Sequence, residues 1–305
     1  MSFKADKIWM DGEFVDWEDA KIHILSHVIH YGSGIFEGLR AYNVNGKAAI
    51  FRLDDHIDRL FDSAKIFRMI PKFDKEEIKE AIKETIKINN LKEAYIRPLI
   101  YRGYNNLGVN PLNCPIKVMI AAWNWGKYLG QEALEKGINA KVCSWRRAAP
   151  NTFPSMAKIT GNYVNSQLIK LEAYEDGYDE GIALDSYGFV SEGSGENLFI
   201  VRHGVIFTPP TNSSILAGIT RHSIFVLARD LGITVKQHVL PRESLYIADE
   251  VFLTGTAAEI TPVTKIDNLP VGNGKRGEIT KRLQDAFFDI ISGKIEDKYG
   301  WLTMI

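Results

Sequence analysis

Cysteine is scarce: the chain has 2 in 305 residues, Cys114 and Cys143. They lie far apart and outside any CxxC, which argues against a disulfide framework and against a cysteine-ligated zinc site. Both read as core or spectator thiols. Long apolar runs are also missing, so no segment approaches the length of a bilayer span, and Met1–Phe14 lacks the apolar heart of a signal peptide. A cytoplasmic protein with no membrane partner is expected. There is no excess of either charge, with 37 basic against 38 acidic residues and a net charge of -1. The cations are spread rather than blocked, so no nucleic acid is implied as a partner. His23, His27 and His30 have no acidic companion at ligand spacing, so they read as core and hinge residues and no metal is expected. No internal repeat or low-complexity tract occurs. What remains is a chain with 45% hydrophobic and 25% charged residues, long enough for two cores and suited to a small ligand.

Asp11-Gly12 and Asn45-Gly46, each set between apolar runs, predict two-residue β-hairpins. Leu53, Ile57, Leu60, Phe61 and Ala64 share one helical face. Asp74 with Glu77 forms a capping box ahead of a second helix to about Asn90. Strands are expected at Ala94–Arg102 and Ile116–Trp123, the first at an edge or bulged because it contains Pro98. These elements form a small α/β domain over residues 1–123. Residues 124–134 read as an interdomain loop, and 135–305 as a larger domain opening with a strand at Gly137–Cys143. Val164, Leu168 and Leu171 mark a helix that Gly177 ends. Strands at Glu180–Leu184, Phe189–Ser191, Asn197–Arg202 and Val205–Thr208 read as a meander. Helix and strand then alternate: a helix at Thr220–Leu231 ended by Gly232, a strand at Ile233–His238, a short helix from Pro241, a strand at Glu250–Thr254 and a late helix at Gly277–Ile291. The architecture expected is α+β in two domains.

Lys158 lies after two prolines, among Met156, Ala157, Ile159 and Gly161. That setting reads either as an enclosed lysine, whose lowered pKa makes it a usable nucleophile, or as a loop lysine with its head in water. Glu192 stands where a strand meets Gly193 and Gly195, facing a concave site or solvent. Gly218 and Thr220 precede an apolar-periodic helix whose first N–H groups and dipole suit phosphate, although threonine also caps helices without any ligand. Gly255, Thr256 and Ala257 offer a hydroxyl and N–H donors, or else an ordinary helix start. Tyr95 and Arg97 alternate in a strand and so share a face; Arg97 there holds a carboxylate or makes a structural ion pair. Tyr31, Phe36 and Arg40 lie in a glycine-rich β segment. The GxGxxG match at 272–277 has no βαβ unit behind it, and Gly193-Ser194-Gly195 lacks the first glycine of a nucleophile elbow.

Taken in order, FEG, YIRP, AAPNTFPSMAK followed by GNY, SEGSGENLF, LAGITR and GTAAEITPV resemble the class IV pyridoxal-phosphate aminotransferases, and within them the branched-chain amino-acid type. The resemblance runs from Ile8 to Trp301. It implies fold type IV, with a larger domain that is barrel-like, and pyridoxal 5′-phosphate as cofactor. It implies ping-pong transamination of Leu, Ile and Val against 2-oxoglutarate. By that resemblance Lys158 is the Schiff-base lysine, Glu192 faces the pyridine nitrogen, and Tyr163 bonds the phenolic oxygen. Arg59, Ile219, Thr220 and Thr256 meet the phosphate, with Leu216, Gly218 and Gly255 alongside and Glu196 and Asn197 in support. The resemblance also puts the substrate between the domains. Tyr95 with the backbone of Thr256 and Ala257 holds the α-carboxylate, and Phe36, Gly38, Arg40, Tyr31, Leu107, Val109, Tyr128 and Tyr163 wall the side-chain pocket. Arg97 with Tyr31 and Tyr128 receives the distal carboxylate of glutamate. Leu107 stands where relatives often carry Met, a conservative swap. Tyr31 and Leu107–Val109 are shared with a neighbouring subunit, which implies at least a homodimer and is compatible with a hexamer built as a trimer of dimers.

The same fold also serves D-amino-acid aminotransferases, R-selective amine aminotransferases and aminodeoxychorismate lyases, and fold alone does not choose among them. A binding protein on a retired scaffold would require loss of Lys158, Glu192 or Arg59, and all three are present.

Overall fold

The computed structural model describes residues 4–126 and 130–305. In chain order its strands are β1 Lys7–Met10, β2 Glu13–Asp16, β3 Gly34–Phe36, β4 Leu39–Val44, β5 Lys47–Phe51, β6 Ala94–Arg102, β7 Ile116–Trp123, β8 Ile138–Val142, β9 Glu180–Leu184, β10 Val190–Gly193, β11 Asn197–Arg202, β12 Val205–Thr208, β13 Val235–Gln237, β14 Glu250–Gly255, β15 Glu259–Ile266, β16 Leu269–Pro270 and β17 Leu302–Met304. The helices are α1 His27–Tyr31, α2 Leu53–Ile66, α3 Lys75–Ile88, α4 Gln131–Lys136, α5 Tyr163–Glu175, α6 Ile219–Asp230 and α7 Glu278–Ile291. Two compact units form. One comprises Met1–Gly126, Ala157–Asn162 and Asp289–Ile305; the other comprises Lys127–Met156 and Tyr163–Phe288. These bounds differ from a single division near residue 124, because the short stretch around Lys158 and the C-terminal segment pack with the first unit. Packing partners, not chain position, decide membership.

The first unit is an eight-stranded sheet in the order β17-β5-β4-β6-β7-β1-β2, with β3 beside β6. Both hairpin turns are formed, and Asn45 and Gly46 take the positive φ values of 52° and 85° that such a turn requires. Asp74 accepts from Glu77 N and Glu77 returns a bond to Asp74 N, closing the capping box on α3. Leu53, Ile57 and Leu60 of α2 and Ile78, Ile82 and Ile86 of α3 are buried in one core with Ile96, Ile100, Val118 and Ile120. Strand alternation therefore turns Tyr95 and Arg97 to the opposite face of β6.

Pro98 does not mark an edge, because β6 lies between β7 and the β3/β4 pair. β3 pairs with Leu99–Tyr101 and β4 with Ala94–Ile96, which leaves a break opposite Pro98. Glu37 N donates to Pro98 O across that break at 3.0 Å. A residue's N–H and C=O leave an antiparallel strand on the same side, so the donor that proline lacks would have pointed into the break. No ladder bond is lost.

The second unit is a nine-stranded sheet in the order β10-β9-β8-β15-β14-β11-β12-β13, with β16 on β15. β9–β10 and β11–β12 are hairpins. The expected meander breaks between them, since β11 pairs with β14 instead of β10. The segment after Thr256 is no helix start: β14 turns directly into β15. Along α5, Ile169 and Ala173 are fully buried, whereas Val164 and Leu171, which flagged the helix, are 60% and 52% exposed. The helix is as expected but its buried face is not. Among the described residues no helix is long and apolar enough to cross a membrane.

Candidate active site

In the first unit, the segment carrying Lys158 is held by its backbone. Phe36 N donates to Lys158 O at 3.0 Å and Lys158 N donates to Ser63 Oγ at 3.1 Å. Ile159 bridges Ile35, and Thr160 Oγ1 donates to Gly32 O while accepting from Gly34 N. Ala157 and Ile159 are buried and Lys158 itself is half-buried. The lysine head thus emerges from a rigid frame, with its ammonium 4.8 Å from the centre of the Phe36 ring. Arg97 lies 4.7 Å from the centre of that same ring.

Arg97 Nη2 donates to Tyr95 Oη at 3.0 Å. A Cβ on Gly38 would lie 2.0 Å from that hydroxyl oxygen, so glycine is required for Tyr95 to sit against the backbone. Because Tyr95 Oη accepts from Arg97, its own proton is directed to another acceptor. Arg40 is buried and donates to Gly126 O at 2.9 Å.

Arg59, on α2, makes a side-on pair with Glu37: Nε to Oε1 at 2.6 Å and Nη2 to Oε2 at 2.8 Å. Buried His56, one turn earlier, bonds Oε2 through Nδ1 at 2.7 Å. Burial opposes the charge on Glu37, but the Arg59 guanidinium and the His56 and Arg59 hydrogen bonds overcome it and hold this carboxyl well below the usual range. Burial pushes the His56 pKa down; Glu37 works against this, while the charges of Arg59 and Lys158 reinforce it. Facing a carboxylate that only accepts, His56 Nδ1 is the donor of this bond.

Tyr31 stacks on His27 with ring centroids 4.5 Å apart. His27 bonds Ser33 Oγ and Gly108 O. The sequence did not single out this buried tie between α1 and the loop bearing Leu107 and Val109. Tyr31, Leu107 and Val109 are exposed, Val109 by 88%.

In the second unit, Glu192 is buried, and its Oε2 accepts from Asn197 Nδ2 and Leu216 N, both at 3.1 Å. Asn197 Nδ2 also donates to Leu216 O at 2.8 Å. The two residues bind the β10–β11 turn to the lead-in of α6. Gly218 is the N-cap of that helix and makes no side-chain cap bond. A Cβ there would fall 2.0 Å from Asn197 Oδ1, so only glycine leaves room for this cradle. Ile219 and Thr220 follow as the first helical residues, at the positive end of the dipole. Asn197 pairs with Thr254 across β11 and β14, and Gly255 faces Glu196, which brings the Thr256–Ala257 turn to the same end of the sheet.

Arg147, another residue the sequence did not single out, is the hub of this end. It donates to Gly193 O, Ser194 O, Asn165 Oδ1 and Ser166 Oγ, and its Nε lies 3.3 Å from Glu192 Oε1. Asn165 and Ser166 belong to α5, whose first residue is Tyr163, so one guanidinium links the helix of Tyr163 to the turn of Glu192. Tyr128 lies outside the described residues.

The second unit thus offers a buried carboxylate beside a helix N-terminus with a glycine cradle. These are groups of the kind needed for a protonated ring nitrogen and a phosphate. The first unit offers a framed amine and an arginine. The donor chemistry fits pyridoxal phosphate.

Residues 34–266 match the family described as amino-transferase class IV. A branched-chain-amino-acid aminotransferase of Escherichia coli (strain K12) is 55% identical over 303 residues, covering 99% of this chain and 98% of the relative. The solved branched-chain amino acid aminotransferase from T.th. with pyridoxamine 5′-phosphate superposes with a TM-score of 0.95 at 50% identity, covering 99% of both chains. The same enzyme complexed with N-(5′-phosphopyridoxyl)-L-glutamate gives a TM-score of 0.95 at 49% identity with the same coverage. The chain belongs to the class IV aminotransferases, two-domain α+β enzymes of fold type IV that work with pyridoxal phosphate.

Proposed function

We propose that the chain is a branched-chain L-amino-acid:2-oxoglutarate aminotransferase. The observation that carries this reading is the sharing of one ring: Lys158 and Arg97 both lie against Phe36. An apolar substrate chain packs on that aromatic surface, and a distal carboxylate is met by the guanidinium. One wall then accepts leucine in one half-reaction and glutamate in the other. The likeness to an enzyme solved with a phosphopyridoxyl-glutamate adduct supports the second half.

Pyridoxal phosphate, when bound, supplies the aldehyde that joins the substrate amine and a ring that draws electrons from the substrate's Cα. Arg59, the N–H groups of Ile219 and Thr220, and the Thr256 hydroxyl hold its phosphate. Glu192, fixed by Asn197 and Leu216 N, keeps the ring nitrogen protonated, and Tyr163 bonds the phenolic oxygen. Lys158 Nζ, held on its backbone frame, would take the proton from Cα and deliver it to the carbon that carried the cofactor's aldehyde. Tyr95 donates a hydrogen bond from its hydroxyl to the α-carboxylate while Arg97 holds the oxygen, and the backbone of Thr256 and Ala257 adds further donors. Gly38 keeps room for that tyrosine, while Tyr31, Leu107 and Val109 complete the walls. The exposure of Tyr31, Leu107 and Val109 supports a homodimer in which these residues serve a neighbouring copy.

The test is a set of half-reactions followed at the visible band of the bound cofactor. L-Leucine and L-glutamate are expected to bleach it, 2-oxoglutarate to restore it, and Lys158→Ala to lack both band and turnover. Bleaching by D-alanine or R-phenylethylamine with none by L-leucine would overturn the substrate assignment.

A further inference from the structure

Glu37 belongs to the FEG motif, yet none of the roles above uses it. It is fully buried, as is His56. Its two oxygens accept four hydrogen bonds: Arg59 Nε at 2.6 Å, Arg59 Nη2 at 2.8 Å, His56 Nδ1 at 2.7 Å and Gly38 N at 3.3 Å. A guanidinium is planar, so holding its Nε and Nη2 edge fixes the direction of its end-on edge, which carries Nη1 and the second Nη2 proton. Only a carboxylate accepts from all four donors at once. Glutamine turns an NH2 group toward at least one of them.

We propose that Glu37 is a positioning residue for the cofactor's phosphate, acting through Arg59, with His56 as the strut that keeps the carboxylate in place. This rests on the assignment of Arg59 to the phosphate. Two effects of removing the Glu37 charge oppose each other. Loss of a nearby anion favours phosphate electrostatically, whereas loss of the side-on pair releases the guanidinium from its single orientation. Orientation dominates, because a dianion is gripped by paired parallel N–H groups and a rotating fork offers them only part of the time.

The experiment measures cofactor affinity in the intact enzyme, after resolution and reconstitution, with pyridoxal phosphate and with pyridoxal, which lacks the phosphate. Glu37→Gln is expected to weaken pyridoxal phosphate roughly ten- to a hundred-fold, the range typical of losing a partner that orients a ligand-binding group. Pyridoxal affinity should not change. In an Arg59→Gln background the effect of Glu37→Gln should vanish, as a double-mutant cycle requires for a residue that acts through another. Glu37→Asp keeps the charge but shortens the reach; it should show the same phosphate-selective loss, and it serves as the readout if the glutamine variant does not fold. Equal losses for both ligands, or tighter phosphate binding, would overturn the role of Glu37. If Arg59→Gln alone leaves pyridoxal phosphate affinity intact, the underlying assignment of Arg59 falls instead.

Discussion

Two carboxylates, one in each unit, are both buried, and their ionisation is pushed in opposite directions. Burial alone raises both pKa values. Glu37 receives four donors, two of them from a guanidinium, and is held well below the ordinary range. Glu196 receives one backbone N–H, from Gly195 at 3.1 Å. Burial first, and then the neighbouring charge of Glu180, push it up to about 8, against weaker pulls from Lys170 and Arg147. Glu180 takes the Lys170 ammonium for itself at 2.8 Å. The lesson is that the supply of donors, rather than depth, decides whether a buried carboxyl carries charge. The protein pins a cation with the first carboxyl, while burial and the charge of Glu180 favour the protonated form of the second.

The largest effect expected from breaking this contrast follows Glu37→Ala. It removes the carboxylate that the Arg59 guanidinium pairs with side-on and should cost about 3–5 kcal/mol, read as a lower urea midpoint. A loss below about 1 kcal/mol would mean that water readily replaces the carboxylate.

Glu196→Gln should act in the other direction. An acid whose pKa is raised on folding costs nothing below its ordinary value near 4.5. The cost grows as pH rises from there to about 8 and is constant above. The glutamine carbonyl still accepts from Gly195 N. The variant should therefore match the parent at pH 4 and become progressively more stable than it as pH rises to 9. A gain equal at both pH values would separate the effect from ionisation.

The smallest effect sharpens the comparison with an exposed carboxylate. Asp74 also accepts a backbone N–H, from Glu77 at 2.9 Å, but in water. Asp74→Ala should cost about 1 kcal/mol by thermal melting, as for an ordinary helix cap.

Much of the first unit was legible because its signals are local. The hairpin turns at Gly12 and Gly46, the capping box at Asp74 and the apolar stripe of α2 depend on residues a few positions apart. The same stripe hid His56, since a histidine among Leu53, Ile57 and Leu60 gives no sign of the carboxylate it faces. Glu37 was hidden likewise within an apolar β segment. β15 was missed because Pro262 interrupts its pattern and its partners, β14 and β8, lie elsewhere in the chain. Arg147 looked like half of a basic pair and proved to be the hub for five groups.

By itself the sequence determined the turns and helices of the first unit, the identity of the chemically active side chains and the family to which they belong. All of these are carried by short-range spacing and residue type. Only the tertiary structure decided that Pro98 fills a central strand at a break, that Lys158 hangs from Phe36 and Ser63, and that one guanidinium ties Tyr163's helix to Glu192's turn. Each depends on groups distant in sequence meeting at hydrogen-bond range, and no local pattern encodes that distance. The charge of a buried carboxyl is of the same kind: Glu37 and Glu196 are the same residue until their neighbours arrive.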